Sequence, residues 1–283
     1  MGKIPKKVRQ IIAAVSLTVA VVGSVGLFIL LPSAAAFFNE IFFAAILIML
    51  TPSAILDYLN QKWINGIEDQ MPVLVRGVSE CQETGVTFVK AIEKVVEDNM
   101  VRPPLSDEVK KLTVQMSWGL SFEDALRNFK NRINSSGVNR FCTLVLEASR
   151  SGGQVRKVFT ATSGFMEEMR ETDKETSSQM RPYLVIIYAA FFVFAFTSVV
   201  LLRSFFAPLE AYPQMLSPMS AVSVGAFKDF FYRTMLISAL VGGLMAGKIG
   251  ERRVAGGLKH SIILMVTGYV IFYVLVPPNW MVK

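Results

Sequence analysis

Two stretches of 21 residues, Ile11 to Leu31 and Pro182 to Leu202, contain no charged side chain. A helix of that length covers roughly 31 Å, the thickness of a bilayer's hydrocarbon core. Three more apolar runs follow the same pattern. Phe37 to Leu56 is interrupted only by Glu40 and holds Pro52 as a kink point. Thr234 to Gly247 is short for a span but is extended by Phe230, Phe231 and Tyr232, and Ser261 to Pro277 ends in Pro278-Asn279-Trp280. Composition agrees: 52% of residues are hydrophobic and 18% charged, against about 25% charged in a soluble domain. Disorder, a disulfide scaffold and a collagen-like fibre are excluded, and an integral membrane protein is the leading class.

The net charge of +7 sits beside the apolar runs. Residues 58–181 hold 17 basic and 17 acidic side chains, so the whole excess lies outside them. That distribution fits the positive-inside rule and not a nucleic-acid patch. Lys3, Lys6, Lys7 and Arg9 precede the first run, and Pro32 to Ala36 resembles a cleavage site. The run is too long for a signal-peptide core, so an uncleaved anchor is expected. The loop charges predict five spans, with the N-terminus in the cytoplasm and the C-terminus outside. Residues 58–181 and the loop Lys248 to His260 then face the cytoplasm.

Residues 58–181 read as helices throughout. Ile64, Ile67, Met71, Leu74, Val75 and Val78 lie on one face of a 3.6-residue period. Five more stripes follow: Phe88 to Val96, Leu105 to Met116, Phe122 to Ile133, Phe141 to Ala148 and Val155 to Met169. Gly85 and Gly119 mark helix ends, Pro103-Pro104 a break, Ser106 a start and Ser121 an N-cap followed by Glu123 and Asp124. Ser135-Ser136-Gly137 and Gly152-Gly153 supply the remaining breaks. The expectation is an all-α, polytopic membrane protein with about five transmembrane helices and a cytoplasmic six-helix bundle. Residues 1–57 carry the basic start and two spans, 58–181 the bundle, and 182–283 three spans with a basic loop. The sixth bundle helix is expected to run on into the third span.

Catalytic equipment is sparse. Cys81 and Cys142 are too far apart for a metal or redox motif and read as core residues, and His260 is a lone interfacial histidine. Gly242 to Lys248 nearly spells a P-loop, but Ile249 replaces the magnesium-binding hydroxyl. Gly243 and Gly247 read instead as a small-residue face for close helix packing. Glu167, Glu168, Glu171, Asp173 and Glu175 alternate with Arg170 and Lys174 as a solvated face. No catalytic, cofactor-binding or metal residues are expected, and nucleic acid is not expected as a partner. These features leave a scaffold, a receptor or a small-solute transporter open, with a membrane enzyme disfavoured.

Three stretches carry a resemblance. Leu74 to Ile92, with its turn at Gly85, resembles the first hairpin of the type II secretion F-domain family. Gly119-Leu-Ser121-Phe-Glu-Asp-Ala125-Leu126 is similar to that family's next turn and helix, and Glu147-Ala-Ser-Arg-Ser151-Gly152-Gly153 to a later turn. Ala148-Ser149 replaces the Gly-Glu of many bacterial members, so no acid or metal role is carried over there. The loop Gly247 to His260 resembles the archaeal branch, which includes the platform proteins of archaella and archaeal type IV pili. The resemblance implies a non-catalytic platform in the cytoplasmic membrane. A cytoplasmic ATPase would dock on it and pilin-like subunits would be lifted from the membrane. Many members have two such domains, so a homo-oligomer or a paired platform subunit is implied. Lys248, Arg252, Arg253 and Lys259 are candidate contacts for the ATPase or for membrane lipids.

Overall fold

The computed structural model of the chain describes residues 6–30, 38–150, 155–206 and 224–276. Among them the regular structure is helical: α1 (Lys6–Leu30), α2 (Phe38–Glu68), α3 (Met71–Glu83), α4 (Phe88–Glu97), α5 (Leu105–Ser117), α6 (Phe122–Ile133), α7 (Ser136–Arg150), α8 (Val155–Leu201), α9 (Val224–Glu251) and α10 (Gly257–Leu275). A π-helical turn, Leu202–Phe206, follows α8. Five helical segments are long and apolar enough to cross a membrane. The chain divides into two compact units, Leu59–Thr176 and Lys6–Tyr58 with the residues from Ser177 onward.

The first unit buries the apolar stripes in one core. Ile67, Met71, Val75, Val78, Val95, Leu105, Phe129 and Ile133 are its largest enclosed side chains. The stripe from Ile64 to Val78 is shared by two helices, where the sequence suggested one. α2 continues to Glu68, and α3 starts at Met71 with Pro72 in its first turn. Proline has no N–H to give the preceding turn, so the ladder breaks there while the apolar face carries on. Leu105 opens α5 one residue before the expected Ser106, which is itself buried. Val89 is exposed rather than on the core face of α4. The side chains of Val155, Val158, Phe159, Thr162 and Met166 lie outside the described residues.

Local capping explains several boundaries. The Ser121 hydroxyl accepts the Asp124 N–H at 3.1 Å and donates to its carboxylate at 2.8 Å. Asn134 ends α6 with φ 48°, a left-handed position that asparagine tolerates. Glu68, at the end of α2, accepts hydrogen bonds from the Ser135 hydroxyl and, at 3.2 Å, from the Gly137 N–H. A carboxylate beside the free N–H groups of α7 is favourable there. Cys142 is fully enclosed, and burial pushes its thiol up to about 12.

The second unit has its own core, in which Phe191, Ala195, Met235, Leu236, Leu264, Met265 and Phe272 meet. Its outer surface is apolar as well: Val22, Ile29 and Val185 are each about two-thirds or more exposed. A helix that is apolar all round suits a lipid surrounding. α9 begins at Val224, six residues ahead of the extension expected from Phe230, which gives this segment a full span length.

Glu108 shows how the first unit treats a buried charge. Its side chain is 7% exposed and accepts from Lys111 at 2.6 Å and Arg132 at 2.8 Å. Burial alone would raise its pKa, but the two cationic donors outweigh that and hold it below the usual carboxylate range. A lowered folded value makes this contribution present at neutral pH and lost as pH falls through that value. Glu108→Gln should cost about 1–2 kcal/mol at pH 7. In thermal melts of the full chain, its deficit against wild type should shrink as the pH drops below about 4; a deficit independent of pH would contradict this.

Candidate functional site

The turns singled out by the sequence have defined geometry. Gly85 and Gly119 sit just past α3 and α5 with φ 84° and 89°. Each closes its helix with a paired turn. The N–H groups of Gly85 and Val86 reach Gln82 and Cys81 carbonyls, and those of Gly119 and Leu120 reach Met116 and Gln115. Nothing lies within 4 Å of a side chain built on either glycine. Backbone conformation, not crowding, therefore calls for glycine. Glu147 is exposed on α7. Ser151, Gly152 and Gly153 lie outside the described residues. Arg76 pairs with Glu167 at 2.9 Å and Arg170 with Asp69 at 2.7 Å, so α8's charged stretch is partly tied to the start of the unit.

In the second unit, α9 and α10 approach at backbone distance. A Cβ on Gly243 would fall 2.2 Å from the Ser261 nitrogen, and one on Gly247 would fall 1.9 Å from the Gly257 nitrogen. Ser261 is enclosed and donates to the Leu240 carbonyl at 2.9 Å. The P-loop-like stretch thus lies inside a packed helix, with no loop to cradle a phosphate. His260 lies across from Tyr188, whose hydroxyl is 2.8 Å from Nδ1.

The turn between these helices gathers the basic residues. Arg252, just past α9, has φ 55°. Arg253 reaches the Asp57 carboxylate at 3.4 Å, and Arg9 reaches the same oxygen at 3.0 Å. Lys259 pairs with Glu251 and lies 5.8 Å from the Tyr58 ring centroid. Lys248 and Arg252 are exposed. Of the four candidate contacts, Arg253 and Lys259 pair with Asp57 and Glu251, and Arg252 is engaged within the chain as well. Asp57, 4% exposed, was not picked out from the sequence. Its only signal there is position: a single acid at the end of an apolar run, on the side where the basic residues cluster. Among the described residues no three His, Cys, Asp or Glu side chains converge as metal ligands.

Removing the Asp57 charge would leave two guanidinium groups facing a buried amide. Asp57→Asn should lower the stability of the full chain by about 1–2 kcal/mol, less than for a fully buried pair because both arginines are part-exposed. Lys248→Ala should change it by less than about 0.5 kcal/mol. Equal melting temperatures for wild type and Asp57→Asn would contradict the clasp.

Residues 74–202 match the sequence model of the family described as Type II secretion system (T2SS), protein F. The match runs from within α3 through the remaining helices of the first unit and along α8 to Leu202. An uncharacterized protein of Methanocaldococcus jannaschii, MJ1286, is 25% identical over 227 residues. The alignment covers 80% of this chain and 37% of that relative, so the chain spans little more than a third of the relative's length. No solved structure matches. Ordered motif turns, an all-helical core and this match converge: residues 74–202 are a domain of the type II secretion system protein F family.

Proposed function

We propose that the chain is a platform protein of the cytoplasmic membrane in a type IV filament or type II secretion-like machine. It couples a cytoplasmic ATPase to the extraction and assembly of pilin-like subunits and hydrolyses no nucleotide itself. The carrying observation is that the family match extends from α3 through the unbroken α8 into an apolar segment of span length. In this reading the N-terminus and the Leu59–Thr176 unit are cytoplasmic. That unit works as a six-helix bundle, and the chain acts as a homo-oligomer or beside a paired platform subunit.

Arg253 and Lys259 stabilise the α9–α10 turn through Asp57 and Glu251. Lys248 and Arg252 are the most exposed basic residues of this turn, and in this reading they meet an acidic face of the ATPase or anionic lipid. Affinity purification of the full chain from its own membranes should recover a cytoplasmic ATPase and pilin-like subunits. Lys248→Glu with Arg252→Glu should reduce ATPase recovery several-fold and leave pilin-like recovery unchanged. Recovery of neither partner, together with solute uptake by the chain in vesicles, would overturn the platform reading in favour of a transporter.

A further inference from the structure

α3 and α5 end in the same paired turn, and the two turns are finished differently. After Gly85, the Val86 N–H returns to the Cys81 carbonyl, and the Val86 side chain packs against the core of the first unit. After Gly119, the Leu120 N–H returns to the Gln115 carbonyl in the same way, but Leu120 is 41% exposed. The residue before that glycine, Trp118, is 81% exposed, more than any other large apolar side chain among the described residues. Val114, one helical turn earlier on the same face, is 45% exposed. A turn of this kind folds residue 120 back over residue 114, so the three side chains share one tip.

Neither the backbone nor the core asks for a tryptophan here. Trp118 has φ −82° and ψ 6°, a conformation open to any residue. Its side chain takes no part in the buried cluster of the first unit. A large aromatic face left in water adds nothing to the stability of the fold. Tryptophan is also among the residues most enriched at the energetic centres of protein interfaces.

The charges nearest the tip decide what covers it. Glu123 and Asp124 occupy the first turn of α6, directly after the Ser121 cap. The exposed bases stand further off, Lys110 one turn before Val114 and Arg127 one turn beyond Glu123. An anionic membrane surface attracts Lys and Arg and repels this pair of acids. A two-fold contact between copies of the tip would bring the like-charged pairs together. A pocket on a different protein, apolar within and edged by Lys or Arg, suits both the tryptophan and the acids. In the platform reading, on which this inference rests, the soluble partner of this unit is the ATPase. We propose that Trp118, flanked by Val114 and Leu120, anchors the first unit in an apolar, basic-rimmed pocket of the cytoplasmic ATPase.

Affinity purification of the full chain from its own membranes supplies the test. Trp118→Ala should cut ATPase recovery about tenfold, as expected for losing an interface anchor. It should leave recovery of pilin-like subunits and the melting temperature of the chain at wild-type values, because the side chain lies outside the core. Trp118→Phe should keep part of the ATPase recovery. Trp118→p-benzoylphenylalanine, irradiated in the same membranes, should crosslink to the ATPase. Wild-type ATPase recovery by Trp118→Ala would overturn the proposal and leave the platform reading standing. Crosslinking to lipid alone, or to a second copy alone, would overturn the assignment of the partner. If Trp118→Ala lowers the melting temperature together with recovery, the crosslink decides the matter. Failure of the wild-type chain to recover any ATPase would contradict the platform reading itself, and the proposal with it.

Discussion

Backbone N–H and C=O groups in hydrocarbon have no water to bond, so apolar runs of this length must pair their own backbone as helix. Most of the architecture follows from that constraint. It sets five long helices and keeps charge out of their apolar stretches. α8 expresses it most strongly. Its 47 residues extend roughly 71 Å as one helix, from the charged stretch after Val155 into the apolar stretch before Leu201. Pro182 lies inside it, and no glycine follows Gly164. One helix can carry both a charged and an apolar stretch without a loop because its hydrogen bonds are internal in either surrounding.

Charge is handled differently in the two units, and each solution bears on function. In the first, Glu108 is enclosed and answered by two cations, which joins α5 to α6. In the second, Asp57 draws Arg9 and Arg253 together, so α1, α2 and the α9–α10 turn share one carboxylate. Backbone contact at Gly243 and Gly247 brings α9 and α10 close enough for that turn to be tight. The basic turn is therefore partly an internal clasp, which narrows any outward-facing contact to fewer residues than its charge suggests.

Much of this was legible in the sequence because it rests on periodicity and on backbone requirements. The apolar runs marked the span-length helices, the stripes marked the buried faces, and Gly85 and Gly119 marked positions of positive φ. Less legible were features that depend on which distant residues meet. Asp57 and Glu108 look like ordinary solvent-facing acids until their distant partners, Arg9 and Arg253 for the first and Arg132 for the second, are in place. The α2–α3 break was hidden because the apolar face is continuous across it, and only Pro72 signals the interruption. Glu40 reads as a single interruption in an apolar run, and nothing local shows that it lines a cavity with Tyr232 and Tyr269.

In the platform reading proposed above, motion that an ATPase imposes on the Leu59–Thr176 unit passes along α8 to the membrane. The most direct test is insertion of Gly-Gly-Ser-Gly after Gln179 in the full chain, in cells that make the filament or secrete the substrate. The account predicts that ATPase recovery is kept while filament assembly or secretion is lost. Normal assembly by the insertion variant would contradict it and would leave the platform as a passive dock.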